Sequence, residues 1–187
     1  IFEAKHRYDY SMEDCLEFHD SIERVCVPMM HEIQGLRREA LSVTTLRPWD
    51  VSEKSGGGVD IHGRPPLRPF EDVEGLITGC SNVFHDMSPE LGGMFDMLRD
   101  RESLDLESRK GKAPGGYQAN LEKTRIPFIF MNAAGTHDNL STMLHEAGHA
   151  FHSCYSSDLE LIGERNPPLE FAEVASMSME LMSQPQW

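Results

Sequence analysis

His145-Glu146-Ala147-Gly148-His149 is the stretch on which the reading of this chain turns. On an α-helix, positions four apart are rotated by about 40° and separated by one turn. Both imidazoles then leave one face and can bind a single Zn²⁺. Glu146 stands one residue round from the first of them, placed to take a proton from a water that the metal activates. A motif of three fixed residues arises by chance in roughly 4% of chains of this length and His content, so its surroundings must add weight. Gly148 adds some: a helical Gly costs about 1 kcal/mol relative to Ala, which is easier to understand if another backbone must approach closely there.

Two histidines leave a site short of ligands. His152 extends the row, but seven residues of helix span about 10.5 Å, whereas ligand nitrogens lie about 2.0 to 2.1 Å from zinc. His152 is therefore expected to pack or to sit behind the ligands. The metzincin pattern requires Gly at position 152 and His at 155; the chain has His152 and Tyr155, which excludes that class. The remaining candidates are Glu160, Glu164, Glu170, Glu173 and Glu180. Glu164, beside Gly163 in an expected loop, is poorly placed for a precise ligand. Further on, Val174, Met177 and Leu181 make an apolar helical stripe with Glu173 and Glu180 on its flank, while Ala172 and Ala175 keep that helix slim. Glu173 is the preferred third ligand and Glu180 the preferred partner orienting a ligand. The alternative is that both are solvated helix charges.

Outward from the motif, His137 to Ser157 is expected to be helical with Asp138 or Asn139 as cap, and Leu169 to Met182 helical after Pro167-Pro168. Ile126-Pro-Phe-Ile-Phe-Met131 reads as a short strand, with Pro127 favouring an edge or a strand start. Leu104 to Gln118, with Gly111, Gly115 and Gly116, reads as a hairpin or loop. Ser88-Pro89-Glu90 is a helix start, and Phe70 to Val83 has helical periodicity. Near the beginning, Ser11-Met-Glu-Asp14 forms a capping box ahead of Cys15, Leu16, Phe18, Ile22 and Val25 at helical spacing. Pro28 is expected to break or kink that helix, with Met29 to Leu41 a second stretch. The fold class expected is mainly α with a small β-sheet. Three regions follow: a helical segment over 1–44, a long loop or linker over 45–69, and a core over 70–187.

The chain has 187 residues and a formal net charge of −14, which argues against a basic nucleic-acid-binding face. Its apolar runs fall short of the roughly 18 to 20 residues that a spanning helix needs, so no membrane role is expected. Four widely spaced cysteines, Cys15, Cys26, Cys80 and Cys154, show no paired spacing; free thiols in a reducing cytoplasm are expected. The chain opens at Ile1 with no initiator Met or leader, and Trp187 closely follows a helical segment. Both ends are expected to be those of a piece of a larger fold.

His145-Glu-Ala-Gly-His149-Ala-Phe-His152, followed by Glu170-Phe-Ala-Glu173-Val-Ala-Ser-Met-Ser-Met-Glu180, resembles the M3 family of zinc metallopeptidases, which contains thimet oligopeptidase, neurolysin and oligoendopeptidase F. Leu46-Arg-Pro-Trp-Asp50, Gly111-Lys-Ala-Pro-Gly-Gly-Tyr117 and Pro127-Phe-Ile-Phe-Met-Asn132 look like segments of the oligoendopeptidase F branch. The resemblance implies the zincin-like catalytic core of a larger helical fold, with one zinc per chain held by His145, His149 and Glu173. It implies Glu146 as general base, Glu180 seven positions after the ligand Glu, and short peptides as substrates. By analogy with zinc peptidases, the strand from Phe128 through Phe130 to Asn132 is expected to pair with substrate, and the Gly115-Gly116-Tyr117 turn to flank the cleft. Arg47, Trp49 and Asp50 are expected to hold the long loop. Family members are several times longer and carry a His and Tyr-rich segment after the zinc helices, so a catalytically incomplete metal-binding fragment is the alternative reading.

Overall fold

Ser11 and Asp14 cap one another across the first turn of α1, Met12–Ala40, the backbone N–H of Ser11 donating to the Asp14 carboxylate at 2.8 Å. The computed structural model describes residues 8–51, 64–65 and 67–186, in two compact units, Ile1–Pro66 and Leu67–Trp187. In the first unit α1 runs unbroken for 29 residues through Pro28. The expected division into two helices is not found, because one Pro removes a single N–H from a ladder long enough to continue on both sides. Asp50 closes a short 3₁₀ turn over Pro48–Asp50 by accepting from the Arg47 N–H at 2.8 Å. Of the loop read over 45–69, residues 52–63 and 66 lie outside the described residues.

In the second unit Asp72 caps α2, Val73–Met87, and Ser88 caps α3, Pro89–Asp100. A three-stranded sheet follows: β1 (Leu104–Glu107), β2 (Tyr117–Leu121) and β3 (Ile126–Ala133), in the order β1-β3-β2. β1 is parallel to β3, and β2 antiparallel. The 104–118 stretch is therefore not a hairpin, since its two ends become strands on opposite sides of β3. β1 holds itself by one inward residue, Leu106, which is 2% exposed. Pro127 begins the central strand rather than an edge. It is tolerated there because β1 pairs only from Ile129 onward, so the missing N–H precedes the second ladder.

Helices α4 (His137–Ser156) and α5 (Leu169–Ser183) complete the unit. The N-cap of α4 is Thr136, two and three positions before the expected Asp138 or Asn139: its hydroxyl accepts from the Asn139 N–H, and the Asn139 side chain accepts from the Thr136 N–H in return. Leu140, Met143, Leu144, Ala147, Ala150 and Phe151 of α4 are buried against Ile129 and Met131 of β3 and against α2 and α3. The Phe84 ring sits edge-on to Phe151 at 4.8 Å. A helix wedged on that side cannot drift, which fixes what its other face presents.

Lys112 stitches the irregular side of the sheet. Its side chain is 1% exposed, and its ammonium donates to the carbonyls of Asp105, Glu107 and Met131 and to the Asp105 carboxylate at 2.6 to 3.0 Å. The ladder between β1 and β3 is interrupted between Asp105 and Glu107, so these carbonyls need that donor. Lys112→Met is expected to cost about 3 kcal/mol, read from denaturant midpoints.

The Arg109 hydrogen bonds first, and Lys112 next, hold the Asp105 carboxyl down at about 2. A lowered carboxyl stabilises the fold above the ordinary value of about 3.9 and loses that contribution as pH falls toward its folded-state value. Asp105→Asn is expected to flatten the acid side of the stability profile between about pH 4 and 2.

Candidate metal centre

Helix α4 turns the face opposite its buried stripe toward α5, and the two cross at Gly148. A Cβ built there would stand 2.6 Å from the Ser176 Cα and 2.7 Å from the Ala175 carbonyl oxygen. Only a residue without a side chain permits that approach. The face of α5 at the crossing is its small, polar one: Ser176 and Ser183 are fully buried, whereas Val174, Met177 and Leu181 are 54 to 65% exposed. The apolar stripe of α5 therefore points away from α4, because the glycine crossing admits no larger side chains.

This close approach gathers His145, His149 and Glu173, whose candidate ligand atoms all lie within 4.8 Å of one another. His145 Nε2 is 3.3 Å from Glu173 Oε2, and His149 Nε2 is 3.8 Å from Glu173 Oε1. Two donors each about 2.0 to 2.1 Å from one tetrahedral ion lie about 3.3 to 3.4 Å apart. The His145 and Glu173 pair stands at that separation and the other contacts are longer; two imidazoles and a carboxylate are a donor set that could hold a divalent metal ion. The two imidazoles are edge-on, ring centres 4.8 Å apart.

Glu180 receives the other nitrogen of His145, Nδ1, at 2.7 Å, and its second oxygen accepts from the Ser141 hydroxyl at 3.0 Å. With Nδ1 held by this carboxylate, the ring is oriented so that Nε2 faces Glu173. Burial pushes His149 below the ordinary imidazole range, against the opposing pull of Glu173, favouring the neutral form that binds metal. Glu146 is 8% exposed. Burial pushes its carboxyl up, while His145 and the Gln118 backbone N–H pull it down.

The remaining candidates lie elsewhere. His152 lines a groove with Leu91, Tyr155 and Phe171. Phe128, Phe130 and Asn132 alternate with the buried Pro127, Ile129 and Met131, so they occupy the sheet face turned away from α4. Tyr117 stacks on Phe130 at 4.9 Å on that outer face, and Asn132 donates to the carbonyls of Ala113 and Gly115. β3 is the central strand, pairing with β2 over Ile126–Phe130 and with β1 from Ile129 onward. Gly116 packs against α4, where an added Cβ would meet the Thr142 methyl at 2.9 Å. Reading the sequence missed three residues at the site: Ser141, one turn before His145; Ser176, one turn after Glu173; and Gln118. Each of the first two shares a helix face with a candidate ligand, a signal that spacing alone carries, although Ser141 bonds to Glu180 across the two helices.

Comparison with known proteins places the chain among the peptidases. The chain belongs to peptidase family M3, whose model matches residues 2–187. Oligopeptidase PepF of Bacillus subtilis (strain 168) is 35% identical over 159 residues, covering 83% of this chain and 22% of that protein. The plasmid oligoendopeptidase F of Lactococcus lactis subsp. cremoris is 25% identical over 155 residues, covering 82% and 24%. A solved structure of PZ peptidase A with an inhibitor matches with a TM-score of 0.87 at 32% identity, covering 98% of this chain and 32% of that one. The chain spans about a quarter of the length of these curated relatives.

Proposed function

We propose that this chain is the metal-holding core of a zinc-dependent endopeptidase that hydrolyses peptide bonds in short peptides, in the cytoplasm. The observation that carries the proposal is the His145, His149 and Glu173 cluster at chelating separation, within a chain of a peptidase family. Bound there, Zn²⁺ supplies Lewis acidity that polarises the scissile carbonyl and makes water a better acid. Glu146, held beside the cluster in a carboxyl site that burial makes more basic, accepts the proton of the attacking water and delivers it to the leaving amine. The hydrogen bond between His145 Nδ1 and Glu180 keeps the imidazole in its ligating orientation. Oligopeptidases among the relatives support peptides as substrates, and four free cysteines support a reducing compartment.

The test is metal content followed by turnover. One zinc per purified chain is expected, with hydrolysis of a quenched peptide that a chelator abolishes and zinc restores. Absence of tight zinc would discard the reading. Stoichiometric zinc without hydrolysis would favour a metal-binding core that needs further parts of a longer protein, consistent with the share of its relatives that this chain spans.

A further inference from the structure

We propose that Ser176 is a positioning residue for the metal centre: its buried hydroxyl holds the Glu173 carboxylate toward the two imidazoles. The inference rests on the zinc reading above and concerns a residue outside the ligand set. Ser176 is 0% exposed, and its Oγ lies 2.9 Å from Glu173 Oε2 and 3.1 Å from the Glu173 main-chain carbonyl. A hydroxyl has one proton to give, and the shorter contact is to the charged acceptor, where a hydrogen bond is stronger.

What sets this serine apart from an ordinary helical serine bonding back to its own turn is where it stands. Its Cα and N are the atoms that a Cβ on Gly148 would strike, at 2.6 and 3.0 Å, so it lies at the tightest point between α4 and α5. The serine itself has no exposure to solvent. Glu173, by contrast, has a side chain that is 39% exposed and three rotatable bonds. Without a donor beneath it the carboxylate is free to turn to solvent. With that donor, Oε2 is anchored while 3.3 Å from His145 Nε2, and Oε1 faces His149 Nε2. The crossing glycine and the serine under it thus act together: Gly148 brings the helix near, and Ser176 sets the direction in which its carboxylate looks.

The experiment compares the purified chain with Ser176→Ala and with Ser183→Ala, which removes an equally buried hydroxyl from the same helix. Two quantities are read: zinc affinity by chelator competition, and the visible d–d spectrum after loading with Co²⁺. Ser176→Ala is expected to weaken zinc binding by about 10- to 100-fold. The cobalt spectrum is expected to change in intensity as the carboxylate alters its mode of binding, while Ser183→Ala leaves both unchanged. In a Glu173→Ala background, Ser176→Ala is expected to have no further effect on affinity, since it acts only through that carboxylate. Unaltered affinity and spectrum in Ser176→Ala would overturn the proposal, as would equal losses from Ser183→Ala, which would mark a general packing effect. Failure of the unmodified chain to bind zinc or Co²⁺ would instead overturn the metal reading on which it stands.

Discussion

Gly148→Ala is expected to lower stability by about 2 kcal/mol and zinc affinity by at least about 10-fold. Two effects oppose one another in this substitution. In an open helix the change from Gly to Ala gains up to about 1 kcal/mol through propensity. Here the new methyl would stand 2.6 Å from the Ser176 Cα and 2.7 Å from the Ala175 carbonyl, against about 3.5 to 4.0 Å for a comfortable contact. Both obstacles are main-chain atoms, so no rotamer change relieves them and α5 must move as a body. The donors on the two helices would separate with it. Gly79→Ala in α2 provides the contrast, because nothing lies within 4 Å of a Cβ there; it is expected to stabilise by about 0.5 to 1 kcal/mol. Denaturant unfolding of both variants decides the matter: stabilisation by Gly148→Ala would mean that the helices do not cross at this residue.

Glu146→Gln is expected to reduce kcat by about 10²- to 10⁴-fold while leaving zinc content and the folded-state circular dichroism unchanged. The amide has nearly the same shape, and its carbonyl can still accept the Gln118 backbone N–H that contacts the carboxylate. It cannot take up a proton. The pH profile gives an independent check. A base acts only when deprotonated, so activity falls as pH drops through its pKa, and burial moves that point above the usual Glu range. The acid limb of kcat/KM should therefore lie higher than an exposed Glu would place it, and should be absent from any residual activity of the Gln variant. Hydrolysis that survives the substitution with its acid limb intact would remove Glu146 from the role of base.

Local signals were legible where a few neighbouring residues settle the outcome. The Ser11 and Asp14 box, the Ser88-Pro89 start and the 145–149 motif are all of that kind. β1 was not, because one inward Leu106 in a four-residue strand is too short a pattern to separate from loop. The cap of α4 was misplaced because Thr136, Asp138 and Asn139 are all capping residues, and only the backbone decides among them. The orientation of α5 and the sheet face of Phe128 and Phe130 depend on which neighbour arrives, and periodicity names a face without naming its partner. Gly148 held that information for α5: a residue tolerated against propensity marked the point of closest approach.

The order β1-β3-β2 also sets a timetable. β2 and β3 are joined by a turn at residues 122–125 and are expected to zip together within about 1 to 10 μs, as hairpins do. β1 finds its place against the far side of β3 only after the intervening chain has closed back on itself, a slower search. The sheet is then finished from the middle outward, and Lys112, which bridges its last-arriving strand to the centre, acts as the latch on the final step.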